Sequence, residues 1–148
     1  MSTANIIAGS LSVSSNGSLS FLTVTALGDA AAVLTADQVL GGFFTITPTA
    51  DRTLTLPTAA LLAAAISTSL VIGQAVEFTV QNNAVGSATT SALLAVGVGI
   101  SSGTMSPQQL TIEGALVGGA AASGGGSGTF VLVCTNAITP AFTLFRKA

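Results

Sequence analysis

The stretch that decides the fold spans residues 34–82 and reads LTADQVLGGFFTITPTADRTLTLPTAALLAAAISTSLVIGQAVEFTVQN. Thr35 is a good N-cap residue, because its hydroxyl can accept a hydrogen bond from a backbone N–H of a following helical turn. A short helix is therefore predicted over residues 36–40. Gly41 and Gly42 end it, since glycine readily adopts the left-handed backbone conformation that closes a helix.

The rest of this stretch alternates between strand and helix signals. Residues 43–47, 53–56 and 76–81 place apolar side chains at alternate positions, which is typical of half-buried strands. Thr58 is a suitable N-cap for a helix over residues 59–66, which are apolar at every position. A helix that is apolar all round has no face to offer to water, so we expect this one to be enclosed.

Several of these segments resemble a recurrent pattern in small β-rich virion proteins. The segments are LTADQVLGG (residues 34–42), TPTADRTLTLPTAA (47–60), the Ala/Leu helix (59–66), GQAVEFTVQN (73–82) and the later pair Thr135-Asn136. The proteins are the minor capsid, decoration and fibre proteins of tailed phages and of large double-stranded DNA viruses of aquatic hosts. The close match covers about a third of the chain, and its motifs mark turns and caps rather than chemistry.

This resemblance implies a non-enzymatic virion structural protein, a capsid decoration, minor capsid or fibre subunit. It also implies assembly into the virion in the host cytoplasm, with the major capsid protein or other virion proteins as partners. A decoration protein often reaches its lattice through a flexible N-terminal arm, and residues 1–10 are the candidate arm in this chain.

The composition indicates a surface that is hidden rather than solvated. Only 5% of the 148 residues are charged, against roughly 25% in an average domain. Ala (25), Thr (20), Gly (17) and Ser (16) together supply 78 residues. Because a fully solvated monomer usually carries far more charge, we expect much of the surface to lie against copies of the chain or other partners. Together with the resemblance, this predicts a homo-oligomer, specifically a homotrimer.

The residue inventory argues against an enzyme. The chain has no histidine, and therefore no imidazole base or imidazole metal ligand. The carboxylates form no paired-acid or calcium-loop motif; they are Asp29, Asp37, Asp51, Glu77 and Glu113. We predict no catalytic residues, no cofactor and no metal site.

Other charged or glycine-rich features have ordinary structural interpretations. Asp51-Arg52 predicts a local surface ion pair, and Glu77 lies on the polar face of its strand. Residues 123–129 (SGGGSGT) lack the lysine of a phosphate-binding loop and are interpreted as part of an exposed loop over 118–128.

Nucleic acid and membrane are not expected as partners. Arg52, Arg146 and Lys147 are the only basic residues, too few to neutralise a phosphate track. The longest apolar runs are far shorter than the roughly 20 residues of a membrane-spanning helix, and the N-terminus lacks the pattern of a signal peptide. The single cysteine, Cys134, stands in an apolar run and is interpreted as a small buried hydrophobe.

The whole chain predicts one β-rich domain over residues 1–148. Asn16-Gly17 predicts a hairpin turn between strands within residues 11–25. Further strands are predicted at residues 91–100, 110–113, 115–117, 129–135 and 142–145. About eight or nine short strands with one short enclosed helix indicate a mainly all-β fold, a sandwich or a jelly-roll-like barrel.

Two other functions stay open on the sequence. One is an extracellular filament or pilus subunit that exchanges strands through the N-terminal hairpin, although the missing signal peptide counts against it. The other is a carbohydrate-binding attachment module. Such modules usually stack sugar rings on Trp or Tyr, which are absent here, and five phenylalanines are assigned to the core: Phe43, Phe44, Phe78, Phe130 and Phe142.

Overall fold

The computed structural model describes residues 11–13, 19–21, 23–66, 69–84, 90–114 and 126–147, with the side chains described from residue 23 onward. The predicted arm (residues 1–10), the hairpin turn at Asn16-Gly17, the strand at 115–117 and most of the glycine-rich loop lie outside these residues. Gly126, Ser127 and Gly128, predicted as part of that loop, are described, and the loop prediction is wrong for Ser127 and Gly128 because both belong to a strand.

The described part of the chain contains twelve strands and three short helices. The helices are α1 (Ala36–Gly41), α2 (Ala59–Ala65) and α3 (Pro107–Leu110). The strands are β1 (Leu11–Val13), β2 (Leu19–Phe21), β3 (Thr23–Leu27), β4 (Ala32–Val33), β5 (Gly42–Ile46), β6 (Arg52–Thr55), β7 (Ala75–Asn82), β8 (Ser91–Ala95), β9 (Ile100–Ser101), β10 (Thr111–Glu113), β11 (Ser127–Asn136) and β12 (Ala141–Arg146). The prediction of a mainly β fold is confirmed, with more and shorter strands than expected.

The strands form two mixed sheets and a separate antiparallel pair, β1-β2. The large sheet has the order β3-β5-β7-β11-β12-β9, and the small sheet has the order β10-β8-β6-β4. From β3 to β11 each successive strand enters the other sheet. Neighbours β3, β5 and β7 run parallel, as do β4, β6 and β8, whereas β10 and β11 pair antiparallel with β8 and β7. Parallel neighbours need long crossovers, and here the crossovers contain α1 or α2 and a strand of the other sheet.

Both sheets contribute to one hydrophobic core. Phe44, Phe78 and Phe130 of the large sheet are fully buried, and Phe78 stacks on Phe130 with ring centroids 5.6 Å apart. Leu54 and Leu94 of the small sheet belong to the same cluster. Four of the five phenylalanines assigned to the core are buried as predicted, including Phe142. The assignment of Phe43 is wrong. Side chains of β5 alternate between the two faces of the sheet, and Phe43 lies on the face opposite to the buried Phe44, where it is half-buried.

Asn82 joins the two sheets inside this core. It ends β7 and is fully buried. Its Nδ2 donates to the carbonyl oxygens of Thr90 and Ile112, each at 3.0 Å, while its Oδ1 accepts from the N–H of Ala84. One side chain therefore hydrogen bonds three buried backbone groups, and the carbonyl of Thr90 accepts from the N–H of Gly114 as well.

The capping predictions for α1 are confirmed. The Thr35 hydroxyl accepts from the N–H of Gln38, and the Gln38 side chain accepts from the N–H of Thr35, which makes a capping box. Gly42 has φ of +87° and closes the helix, as glycine is suited to do.

The prediction that the apolar helix is enclosed is wrong for the single chain. Thr58 does cap α2, and Ala59 and Leu62 are buried. Leu61, however, is 57% exposed, and Ala60 and Ala64 are also exposed. In a helix of seven residues, only side chains three or four positions apart share the face that packs on the core, here Ala59 and Leu62. The opposite face stays exposed even though its residues are apolar.

The predicted strand over residues 91–100 is also wrong in its second half. Strand β8 ends at Ala95, and the chain turns before β9 begins at Ile100. At Gly97 a Cβ atom would lie 2.3 Å from the carbonyl oxygen of Pro57, and Gly99 has φ of +80°. The alternating glycines therefore mark a turn pressed against the start of α2. Among the described helices, none has both the length and the apolar character needed to cross a bilayer.

Candidate functional site

Most charged side chains of the described residues form ion pairs or hydrogen bonds, and the first cluster lies around Asp29. Nε of Arg52 lies 2.8 Å from Oδ1 of Asp29, and the hydroxyl and N–H of Thr49 also donate to that carboxylate. The hydrogen bond from Arg52, followed by those from Thr49, lowers the pKa of Asp29 to about 2. This cluster fastens the loop after β3 to the turn before β6.

The predicted pairing of Asp51 with Arg52 is wrong. Arg52 instead contacts Asp29, which is 23 residues earlier in the chain. Asp51 accepts a hydrogen bond from the N–H of Ser91 at 2.8 Å, at the start of β8. Both side chains therefore connect segments that are distant in sequence.

A polar depression of about 570 Å³ lies beside the C-terminal end of β12. It is lined by Glu77, Ser127, Gly128, Thr129, Arg146 and Lys147. Nζ of Lys147 lies 2.8 Å from Oε2 of Glu77, and both side chains are about half exposed. The hydroxyls of Thr129 and Thr79 are 2.9 Å apart. The prediction of a solvated or salt-bridged Glu77 is confirmed. The wall of the depression offers hydroxyls and one ion pair, groups that can hydrogen bond a polar ligand.

Arg146, at the rim of this depression, forms contacts within the domain. Its guanidinium lies 5.7 Å from the centre of the Phe130 ring, and Nη1 donates to the carbonyl oxygens of Gln109 and Thr111. Thr111 begins β10 at the edge of the small sheet, and Gln109 lies in α3 just before it. Arg146 ends β12 of the large sheet. Arg146 therefore joins the sheets at their surface, as Asn82 does inside.

Side chains of the acid–base and metal-binding types are dispersed over the described residues. His, Cys, Asp and Glu form no group of three that could hold a metal ion in that part of the chain. Cys134 is 1% exposed, and its thiol contacts the carbonyl oxygen of Asn136 at 3.5 Å. The interpretation of Cys134 as a small buried side chain is confirmed.

The second candidate surface lies at the end of the domain where β11 stops and β12 starts. Three turns and the start of α2 meet there. The N–H of Ala59 donates to the carbonyl oxygen of Val98, and the N–H of Phe142 donates to that of Gly99. On the other side of the β11-β12 turn, the N–H of Gly73 donates to the carbonyl oxygen of Cys134. These bonds hold the segments side by side.

We call this surface the apolar end. It consists of six exposed aliphatic side chains: Leu61 (57%), Val71 (57%), Ile72 (72%), Val96 (36%), Val98 (83%) and Ile138 (96%). The sequence contains no charged residue in 53–76, 78–112 or 114–145, which include all of these segments. The apolar end is therefore both hydrophobic and free of charge.

Sequence reasoning did not identify the apolar end. Its signal was present in the sequence, because turns are usually polar and four large aliphatic residues stand within two positions of a glycine or proline: Val71, Ile72, Val98 and Ile138. Only the fold shows that the turns share one end of the domain. The polar depression was also missed, since Glu77 and Lys147 are 70 residues apart.

Comparisons of the chain with protein-family models, with curated proteins and with solved structures found no match. The function must therefore be argued from the geometry and chemistry of these two surfaces.

Proposed function

We propose that this chain is a non-enzymatic structural subunit of a virion, a capsid decoration, minor capsid or fibre protein that assembles as a homo-oligomer. The observation that carries the proposal is the apolar end. A monomeric soluble protein rarely exposes a contiguous apolar patch of more than a few hundred Å², and larger patches mark interaction sites. The sequence resemblance supplies the virion context.

The partners proposed are copies of the chain, as a homotrimer, and the major capsid protein or other virion proteins. Nucleic acid is not among the proposed partners, because all three basic side chains already form ion pairs or hydrogen bonds within the chain. Arg52 pairs with Asp29, Lys147 pairs with Glu77, and Arg146 donates to backbone carbonyls. A membrane partner is not proposed either, since the sequence provides neither an apolar run of sufficient length nor a basic surface.

For the architecture, we propose that the two sheets are the layers of a sandwich. The support is their common core, to which both sheets contribute buried residues. A jelly roll consists of antiparallel strands, so the parallel neighbours in both sheets favour the sandwich of the two predicted arrangements.

Two measurements test the function. The native mass of the purified chain, measured by light scattering over a dilution series, should correspond to three chains of 14.3 kDa and should fall only at low concentration. Mass spectrometry of purified particles from the source of the sequence should detect the chain. A chain that stays monomeric at every concentration and is missing from particles would contradict the proposal.

A second candidate function is carbohydrate binding for attachment, which the polar depression favours. Its ion pair between Glu77 and Lys147 and its hydroxyls, those of Ser127 and Thr129, could hydrogen bond sugar hydroxyls. A glycan array provides the test. Binding that is lost in a Glu77→Gln variant would support this function, and an array without hits would remove it.

A further inference from the structure

We propose that copies of this chain associate through the apolar end, and that the occupant of this surface is the apolar end of a second copy. The inference rests on the proposed function, because it assigns a surface to the homo-oligomer. The ends would gather around the symmetry axis, with α2 and the β11-β12 turn at the centre of the contact.

The exposed area suits such a contact. Six aliphatic side chains with exposed fractions of 36% to 96% offer an area on the order of several hundred Å², comparable with the roughly 800 Å² that each partner contributes to a standard interface. The centre of an interface is also depleted of charged residues, as this surface is. One end of the domain therefore supplies nearly the area that a stable contact needs.

The choice of a second copy follows from the chemistry of the surface. A partner recognised by charge would need complementary charges here, and the segments that form the apolar end contain none. Two apolar ends can pack together without desolvating an ion or placing like charges in contact. The contact would also cover the exposed face of α2, where Ala60, Leu61 and Ala64 otherwise meet water.

Outside the apolar end, the exposed large hydrophobic side chains of the described residues are Val24, Val33, Leu93 and Phe145. Val33 (74%) and Leu93 (38%) lie on strands β4 and β8 of the small sheet rather than in the turns of the apolar end. Val24 is 62% exposed on β3, which is an edge strand four positions from β12 in the large sheet. Phe145 is 50% exposed near the opposite end of β12, next to the charged pair Arg146-Lys147. Val24 is therefore suitable as a control position of similar exposure.

The test is a double variant, Val98→Glu with Ile138→Glu, compared with the unchanged chain and with Val24→Glu. Both substituted side chains are more than 80% exposed, so the monomer should keep its circular dichroism spectrum and melting temperature. Burying uncompensated carboxylates between two ends should raise the dissociation constant by at least about 100-fold. Light scattering should then show one chain for the double variant and an oligomer for Val24→Glu.

The outcomes separate this inference from the proposed function. If the unchanged chain is an oligomer and the double variant remains one, the apolar end is not the contact, while the homo-oligomer stands. If the unchanged chain is a monomer throughout the dilution series, both the homo-oligomer and its contact are refuted. An oligomer that is lost equally in Val24→Glu would also refute the assignment of the apolar end.

A cross-linking measurement covers the case in which the double variant does not fold. Ile138→Cys places a thiol at the apolar end, and the native Cys134 is buried and should not compete. A short bifunctional thiol reagent should link two copies through residue 138 and should link none through Val24→Cys. Equal linking at both positions, or linking only at position 24, would refute the inference.

Discussion

Asn82 provides the sharpest test of how the two sheets are held together. Its amide Nδ2 donates to two carbonyl oxygens, those of Thr90 and Ile112, and the side chain has no exposure to solvent. The substitution Asn82→Asp keeps the size and shape of the side chain. It replaces the NH₂ donor by a carboxyl oxygen, which in the ionised form would face two other oxygens.

The expected loss of stability depends on pH. A protonated aspartic acid can donate to only one of the two carbonyls, so one buried hydrogen bond is lost, at a cost of about 0.5–1.5 kcal/mol when the carbonyl of Thr90 keeps its bond from the N–H of Gly114. Burial and the facing oxygens should raise the pKa of the new carboxyl above its unfolded value near 3.9. The free energy of unfolding should therefore fall by a further ~1.4 kcal/mol per pH unit, from about pH 4 up to the folded pKa, and then level off.

Urea unfolding followed by far-ultraviolet circular dichroism measures this loss, since the chain has no Trp or Tyr for fluorescence. The variant is compared with the unchanged chain at each pH between 4 and 8. Asn82→Ala should cost about 2–4 kcal/mol at every pH, because the carbonyl of Ile112 and the N–H of Ala84 lose their side-chain partner. The carbonyl of Thr90 loses one bond but keeps the N–H of Gly114. That variant separates the missing hydrogen bonds from the effect of the charge.

Asn136→Asp is the matched control. The Oδ1 of Asn136 accepts from the N–H groups of Ile138 and Thr139, and an aspartate can accept both bonds. This exposed position should change stability by less than about 0.5 kcal/mol. If Asn82→Asp were as mild as this control and its stability difference did not vary with pH, the role of Asn82 as the buried link would be refuted.

Three further predictions concern other contacts. Arg146→Lys keeps the charge but cannot match the donor geometry of the guanidinium, so it should lower the free energy of unfolding by about 1–2 kcal/mol. If urea unfolding gave the same free energy for the variant and the unchanged chain, Arg146 would not bridge the two sheets. Asp29 has its pKa lowered to about 2, so its contribution to stability is present above pH 4 and is lost as the pH falls towards 2. Asp29→Asn should accordingly make unfolding less dependent on pH in that window, and an unchanged acid profile would count against the contact. Gly97→Ala should lower the free energy of unfolding by about 1–3 kcal/mol, because the added Cβ would overlap the carbonyl oxygen of Pro57. Gly28→Ala is the control and should be neutral, since nothing lies within 4 Å of its added Cβ. Equal melting temperatures of the two variants would contradict the close approach at Gly97.

The sequence by itself determined the features that depend on residues a few positions apart. The Thr35 and Thr58 caps, the glycine that closes α1 and the alternation in β5 and β7 were predicted, and the structure confirms them. Each of these signals involves neighbours within about one helical turn or along one strand, so the local chain is sufficient to determine it. The predominance of strands followed from the same signals.

Only the tertiary structure decided which segments meet. Thr23 of β3 lies beside Gly42, and Leu54 of β6 lies beside Leu94, so each pairing joins strands separated by an intervening strand of the other sheet and a helix. Hydrophobic alternation determines which face of a strand is buried but does not identify its neighbour. The choice of Asp29 as the partner of Arg52, the exposed side of α2 and the apolar end all follow from those long-range pairings. A surface assembled from turns and a helix that are separate in sequence exists only once the two sheets have closed around their common core.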